Sequence, residues 1–412
     1  MAVAASDVEK LRRLRAELPA TSATGYFNAG TNGPLSRRVH ETIVAAAERE
    51  LIGGRIIPGI YEGHADRNDR VREVLASIFG GKPHEYAITR STNDGLNIAL
   101  NGIDWNRGDE VVTTALEHPG LMAPLALLAN RRGVVIRVAD VGDGSGDVVA
   151  AIERTMSART RVIALSHVLW SSGAVLPLSE IAAMADRHGA MVVADAAQSA
   201  GQVPVNLGTS GIAAYAMSGQ KWLCGPEGTG ALYVRESRFA DISPTHVRYA
   251  QADLSGYVLP ASGARRYEMG EAYAPAVLGL EAALLWLRDE VGFDWLYGRI
   301  AKLADRFIEG LDDTAGVTVR SPRGKIGGLV CFNVEGMPPQ DVAAALYERG
   351  FTIRFVAYPP GPTVARASIG WWNTEDEVDA LVREVALLAD QAASATELTL
   401  ESVMVPAGTV AK

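Results

Sequence analysis

Short apolar runs alternate with amphipathic stretches over residues 86–234, and this alternation limits the possible folds more than any other feature. The runs predict buried strands at residues 110–116, 161–166, 190–195, 213–218 and 230–234. Helical patterns lie between the earlier runs, at residues 91–103, 120–132 and 178–189. This order predicts βαβ units and a mostly parallel sheet with both faces covered. Ligands of such sheets bind beyond the carboxyl ends of the strands.

The pattern changes after residue 275. A long helical stretch leads into apolar runs at residues 317–322, 327–334 and 351–356 and then a final helix, which predicts a smaller α+β domain. We therefore predict a large domain over residues 41–285 and a small domain over residues 286–395. Residues 1–40 are expected to cross between the domains, and residues 396–412 are expected to form a tail.

Composition excludes several classes of partner. The net charge of -9 argues against non-specific binding to nucleic acid or anionic membranes. No apolar stretch is long enough for a transmembrane helix, and the charged N-terminus lacks the apolar core of a signal peptide. Cys224 and Cys331 cannot form a disulfide framework, so we expect a reduced, cytoplasmic setting. The sequence predicts no metal site.

One lysine stands apart from the others. The chain has only six lysines among 39 basic residues, and only Lys221 follows an apolar run and precedes a glycine-rich loop. An apolar, desolvated site lowers the pKa of a lysine, as a lysine that forms Schiff bases requires. The alternative is a surface lysine in a turn, which the apolar lead-in and the scarcity of lysine disfavour.

Asp195 ends the buried run over residues 190–195. A carboxylate in that position needs a cationic partner or strong hydrogen bonds. The protonated nitrogen of a pyridine ring is one such partner, and helix capping is the alternative. Because Lys221 lies one predicted strand further on, the first interpretation is favoured.

Two further motifs follow predicted strands. Thr92 and Asn93 lie with Ser91 at a helix N-terminus, where free N–H groups and the helix dipole suit a phosphate. Ordinary capping explains the same residues. His118 follows the next strand, where an imidazole can lie flat on an aromatic ring, although a lone histidine in such a position is more often a plain polar loop residue.

Taken together, the segments STNDG, EHPG, ADAAQ and SGQKWLCGPEGTG resemble the class V aminotransferase/cysteine desulfurase family of fold-type I enzymes, which depend on pyridoxal 5′-phosphate (PLP). The resemblance covers residues 26–390, and SHVLWSSGAVLPL, EHPG and KWLCGP are most similar to cyst(e)ine C–S lyases within it. It implies a homodimer with the site at the subunit boundary and an amino acid as substrate.

The resemblance also implies a role for each matching residue. Lys221 would form the Schiff base with PLP, His118 would stack on the ring, Asp195 would pair with the ring nitrogen, and Gln198 would reach the ring hydroxyl. The phosphate would be held by Thr92, Asn93, Ser218 and Gln220. Arg366 would bind the substrate carboxylate in a bidentate pair, with Arg354 as the next candidate.

Three positions depart from the family pattern. Gln220 replaces the usual histidine of the lysine motif, and it brings no charge. Glu271 falls where the neighbouring subunit normally offers a hydroxyl to the phosphate; Tyr273 or backbone N–H groups are the substitutes. The loop before Arg366, residues 357–364, lacks the nucleophilic cysteine of cysteine desulfurases.

These observations predict a PLP-dependent enzyme that abstracts the Cα proton of an amino acid. The favoured reaction is β-elimination from cyst(e)ine or a cysteine conjugate by a C–S lyase. An aminotransferase or an epimerase shares the same early steps, and a non-catalytic protein that keeps the fold is a more distant alternative. Because of the missing loop cysteine, we expect no persulfide-forming desulfurase activity.

Overall fold

The structure is a computed structural model that describes residues 2–247, 262–270, 272–357 and 361–403. Glu271, residues 358–360 of the loop before Arg366, and residues 404–412 of the expected tail lie outside the described residues.

The helices are α1 (Ala2–Ala16), α2 (Ala20–Ala23), α3 (Arg37–Gly53), α4 (Ile60–Phe79), α5 (Thr92–Asn101), α6 (Pro119–Arg132), α7 (Val148–Thr155), α8 (Leu178–Arg187), α9 (Ala274–Trp286), α10 (Phe293–Asp312), α11 (Pro339–Glu348) and α12 (Glu375–Val403). The strands are β1 (Gly25–Tyr26), β2 (Tyr86–Thr89), β3 (Glu110–Thr114), β4 (Val135–Ala139), β5 (Thr160–Ser166), β6 (Met191–Asp195), β7 (Ala214–Ser218), β8 (Gly230–Val234), β9 (Val317–Val319), β10 (Leu329–Val334), β11 (Phe351–Thr352), β12 (Arg354–Ala357) and β13 (Thr363–Ser368).

In the described part of the chain, seven strands form the large sheet in the order β2-β8-β7-β6-β5-β3-β4. Only β8 runs against its neighbours. Successive residues of β5 pack into different apolar clusters: Val162 and Ala164 into one, Ile163 and Leu165 into the other. Because side chains alternate across a strand, both faces of the sheet are covered. The predicted fold class, a mostly parallel sheet with a smaller α+β unit, is confirmed.

A second sheet lies in the C-terminal part, with the antiparallel order β12-β13-β10-β9 among the described strands. Its central strand β13 carries Arg366, which is paired across the sheet with Arg354 on β12 and Cys331 on β10. Directly paired residues project from the same face of a sheet, so these three side chains share one face.

The N-terminal segment contacts both the C-terminal part of the chain and the loop after β7. Gly25 and Tyr26 pair in parallel with β11. A few residues later, the Gly33 N–H donates to the carbonyl oxygen of Gln220 at 2.8 Å. A side chain at Gly33 would place its Cβ 2.1 Å from the carbonyl oxygen of Lys221, so only glycine allows this approach.

The sequence pattern did not identify every element. It assigned no strand to residues 135–139 or 363–368, where β4 and β13 lie. The run at residues 351–356 divides into β11, which pairs with β1, and β12, which pairs with β13. The long helical stretch is interrupted by a π-helical turn at Leu287–Val291. None of the described helices is long and apolar enough to cross a membrane.

Candidate functional site

The candidate site lies at the carboxyl edge of the large sheet. β2, β3, β6 and β7 run in the same direction and end there. Their ends place four groups of side chains on one edge: the start of α5, the start of α6, Asp195, and the loop that begins at Ser218.

Helix α5 begins with a polar cluster. The Ser91 hydroxyl caps the helix by accepting from the Asp94 N–H at 3.1 Å. The Ser218 hydroxyl accepts from the Thr92 N–H at 3.0 Å and lies 2.8 Å from the Thr92 hydroxyl. The Asn93 amide donates to the Gly120 carbonyl at 2.6 Å, which ties α5 to α6. A helix N-terminus with hydroxyls beside it is a suitable site for a phosphate.

Lys221 follows in the loop after β7 and is half-buried. Its Nζ makes no hydrogen bond to the described residues. The pKa of Lys221 is lowered from 10.5 to about 8: burial lowers it most, Asp195 raises it, and the positive charges of Arg366 and Arg354 lower it. A fraction of this amine is therefore neutral near physiological pH, which is the nucleophilic form.

Asp195 is buried at the end of β6. Its Oδ1 accepts from the Ala197 N–H at 2.8 Å, and its other oxygen accepts no hydrogen bond from the described residues. Burial raises the pKa of Asp195, while the Ala197 N–H and Lys221 oppose that shift. A buried carboxylate that has one oxygen without a hydrogen bond is stabilised by a cationic N–H donor.

His118 caps helix α6: its Nδ1 accepts from the Gly120 N–H at 2.9 Å. Burial lowers the pKa of His118 to about 4, and the charges of Lys221, Arg366 and Arg354 act in the same direction. The imidazole is therefore neutral at physiological pH. The imidazole and the Trp170 ring form a T-shaped pair, with the centroids 4.6 Å apart and the planes at 84°.

Gln198 and Gln220 differ in their contacts with the loop that carries Lys221, which we call the lysine loop. The Gln198 amide donates to the Gly30 carbonyl at 2.9 Å, and its oxygen accepts from the Trp222 indole at 3.0 Å. Gln198 thus joins the N-terminal segment to the lysine loop. The side-chain oxygen of Gln220 is buried without a hydrogen-bond partner among the described residues.

Arg366 enters the site from the second sheet and is buried. Its Nη1 donates to the Trp170 carbonyl at 3.0 Å, while its Nε has no partner among the described residues. A side chain at Gly30 would place its Cβ 2.9 Å from Nη2, so glycine at this position leaves room for the guanidinium. Arg354 is exposed and donates to the Thr31 hydroxyl at 3.1 Å.

Both cysteines are buried. Cys224 adopts a left-handed backbone conformation with φ of 53° in the lysine loop. Burial raises the pKa of both thiols, that of Cys331 to about 12. Cys331 shares the sheet face of Arg366, a position that the apolar run around it did not predict.

The structure thus brings the predicted residues together at one place. Thr92, Asn93 and Ser218 gather at the α5 end, while charge interactions connect Lys221 with Asp195, Arg366, Arg354 and His118. Tyr273 is exposed and lines a separate cavity beside Arg90. Trp170 and Gly30 were not predicted as site residues. Trp170 lies within the motif SHVLWSSGAVLPL, but its contacts depend on three segments that are distant along the chain.

This set of groups fits PLP. The α5 N-terminus suits its phosphate, the open oxygen of Asp195 suits its protonated ring nitrogen, and the desolvated Lys221 amine suits its aldehyde. The neutral imidazole of His118 can lie against an aromatic ring without adding charge. Arg366 adds a buried cation for a carboxylate.

The family model described as "Aminotransferase class-V" matches residues 60–381. The chain therefore belongs to the class V aminotransferase family. It is a PLP-dependent enzyme of fold-type I.

Relatives within this family carry more specific names. A probable cysteine desulfurase 2 of Mycobacterium leprae is 30% identical over 376 residues, which cover 84% of this chain and 88% of the relative. A probable cysteine desulfurase of Halalkalibacterium halodurans is 29% identical over 78% of this chain and 81% of its own. A solved structure of a C-DES mutant, with glycine covalently linked to the PLP cofactor, matches with a TM-score of 0.86 and 30% identity, covering 90% of this chain and 98% of that one.

A second solved structure corrects one expectation. It is a complex between the cystine C–S lyase C-DES and its reaction product cysteine persulfide, and it matches with a TM-score of 0.85 and 29% identity over 90% of this chain and 99% of that one. The exclusion of persulfide-forming desulfurase activity was therefore wrong. It assumed that a persulfide must form on an enzyme cysteine before Arg366, whereas in that complex the persulfide is a product molecule.

The altered pKa of Lys221 can be tested in the cofactor-free protein. Labelling of Lys221 by an amine-acylating reagent should rise with pH with a midpoint at about pH 8, because only the neutral amine reacts. Arg354→Gln should move the midpoint up because it removes a positive charge, and Asp195→Asn should move it down because it removes a negative one. Peptide mass spectrometry across a pH series measures each midpoint.

Arg349→Gln is the matched control, since Arg349 pairs with Glu384 away from the site. A midpoint near 10.5 in the unmodified protein, or equal midpoints in all three variants, would contradict this description of the site.

Proposed function

We propose that this protein cleaves the Cβ–S bond of a cysteine-derived amino acid with PLP and releases the sulfur as a small-molecule persulfide or as sulfide. The observation that carries the proposal is the desolvated Lys221 amine, which interacts electrostatically with Asp195 and with the buried Arg366. The names of the relatives, cysteine desulfurases and a cystine C–S lyase, support sulfur chemistry at such a site.

The residues of the large sheet would hold the cofactor. Thr92, Asn93, Ser218 and Gln220 would bind its phosphate at the start of α5. Asp195 would offer its open oxygen to the ring nitrogen, and His118 would lie against the ring. Gln198 donates one amide hydrogen to Gly30 and keeps the second for the ring hydroxyl.

When bound, PLP supplies a sink for the electrons left on the substrate Cα after its proton departs. Lys221 is suited to take that proton, because its pKa, lowered to about 8, leaves part of the Nζ population unprotonated near physiological pH. Arg366 would orient the substrate by binding its carboxylate, and the Trp170 carbonyl keeps the guanidinium in position. Arg354 lies beside Arg366 as a second, exposed cation.

The sulfur would leave on a small molecule. As the Cβ–S bond breaks, its electron pair goes to sulfur, which takes a proton. A thiol that accepts sulfur needs exposure and a low pKa. Cys224 and Cys331 are buried, and burial raises the pKa of both.

A product analysis tests this function. With L-cystine or L-cysteine as substrate, we expect pyruvate and ammonia in equal amounts, with persulfide trapped by alkylation or sulfide detected directly. Lys221→Ala should lower turnover by at least about a thousandfold, the upper range for a general base. The Cys224→Ala/Cys331→Ala double variant should keep most of its turnover, because neither thiol accepts sulfur.

Two results would contradict the proposal. One is the transfer of the amino group to an added keto acid with no sulfur released from any cysteine derivative. The other is loss of sulfur release in the double cysteine variant while its PLP absorbance and substrate binding remain, which would make an enzyme thiol the acceptor.

We further propose that the protein is a homodimer. The end of α3 and the loop after it expose Leu51, Ile52 and Ile56, each with more than three quarters of its surface accessible in the single chain. Neighbouring apolar side chains with this exposure are typical of an interface.

Sedimentation should give about twice the 43.7 kDa of one chain. Ile52→Asp should weaken the dimer and Val8→Asp, at an exposed valine of α1, should not; a monomeric protein at micromolar concentration would contradict the proposal.

A further inference from the structure

Two cavities meet at Trp170. The first, of about 460 Å³, is open and polar at its edge, and its lining includes His118, Arg354 and Thr31. The second, of about 190 Å³, is more enclosed. Trp170 and Val356 belong to the walls of both cavities. We call the second one the Trp170 cavity; its wall includes Leu116, Met122, Val138, Trp170 and Val356.

The lining of the Trp170 cavity is apolar. Leu116, Met122, Val138, Trp170 and Val356 come from five separate places: the loop after β3, helix α6, the edge strand β4, the segment after β5, and β12. No arginine, lysine or histidine lines it among the described residues. A charged amino or carboxyl group would lose its hydration there without a partner of opposite sign.

Glu117 is the one charged residue in this wall among the described residues, and its oxygens are already engaged. One accepts from the Thr114 hydroxyl at 2.8 Å. The other accepts from the Ser166 N–H at 2.9 Å and from the Ser166 hydroxyl at 2.5 Å. Glu117 therefore ties the ends of β3 and β5 together. The Ser171 hydroxyl, also in this wall, is buried without a hydrogen-bond partner among the described residues.

Trp170 also fixes where the cavity lies relative to the substrate. Its carbonyl accepts from Arg366, which would hold the substrate carboxylate, and its ring meets His118, which would lie on the cofactor. A group attached to the substrate sulfur, extending past the Trp170 ring, would reach the cavity.

Resting on the proposed function, we propose that the Trp170 cavity binds an uncharged, apolar group joined by a disulfide to the sulfur of cysteine. The substrate class is then the mixed disulfides of cysteine with apolar thiols, in preference to cystine. The size is suitable, because an apolar protein cavity of about 150 Å³ holds a benzene ring.

The reaction balances without an oxidant or a reductant. The Cα–H and Cβ–S bonds of the substrate R–S–S–CH₂–CH(NH₃⁺)–COO⁻ break. The Cβ–S electron pair goes to the inner sulfur, which takes a proton and leaves as the persulfide R–S–SH, and the Cα–H pair becomes the Cα=Cβ double bond. The remaining three-carbon fragment is aminoacrylate, which water converts to pyruvate and ammonia.

A substitution that fills the cavity tests this assignment. Val138 is half-exposed on the edge strand β4, so the larger side chain of Val138→Phe takes up cavity volume with little demand on folding. We expect the ratio of kcat/KM for S-(benzylthio)cysteine to that for S-(methylthio)cysteine to fall about tenfold or more, since pocket contacts of this size discriminate to that degree. Val135→Phe, on the same strand but outside the cavity, should keep the unmodified ratio.

Leu116→Ala provides the opposite change and should raise the ratio for a naphthyl over a benzyl group. Binding of the α-methyl analogue of S-(benzylthio)cysteine, which has no Cα–H, gives a readout independent of turnover. Calorimetry should show weaker binding to Val138→Phe than to Val135→Phe.

The outcomes separate this inference from the proposed function. Equal ratios and equal binding in Val138→Phe and Val135→Phe, or a preference of the unmodified enzyme for cystine, would overturn the inference while sulfur release continued. Absence of sulfur release from every cysteine derivative would overturn the proposed function instead. Weaker binding of the analogue to Val138→Phe would still support the cavity as the place of the apolar group.

Discussion

The site depends on the removal of Lys221 from water among other charges. Burial lowers the pKa of its amine, and the cations Arg366 and Arg354 lower it further. Asp195, a buried carboxyl whose own pKa is raised, opposes these effects by raising the pKa of Lys221. The fold holds this set of charges together because parallel strands deliver Asp195 and the lysine loop to one edge while the second sheet supplies the arginines.

Two glycines and a glutamine of the surrounding segments maintain that arrangement. Gly33 lets the N-terminal segment touch the backbone of Lys221, and Gly30 leaves space for the Arg366 guanidinium. Gln198 joins Gly30 to Trp222 in the lysine loop. A shift of the N-terminal segment would therefore move both the lysine and the carboxylate-binding arginine, so the two halves of the site are positioned together.

Local patterns predicted much of this structure. Alternation of strands and helices gave the class of the large sheet, and the apolar run before Lys221 identified the lysine. Other features depend on pairing between distant residues. β13 was missed because VARAS is short and its burial comes from β10 and β12 on either side. Trp170 was missed because its partners, His118 and Arg366, are 52 and 196 residues away along the chain. The prediction that excluded persulfide formation was wrong because of an assumption about which molecule accepts the sulfur, and not because of the fold.

The central claim is that Lys221 is the residue that carries PLP. Borohydride reduction of the purified holoprotein, followed by digestion and peptide mass spectrometry, tests it directly. The account predicts that the mass of the reduced cofactor appears on the peptide containing Lys221, and that Lys221→Ala loses it. Finding that mass on a peptide with Lys82, Lys302 or any other lysine would contradict the account.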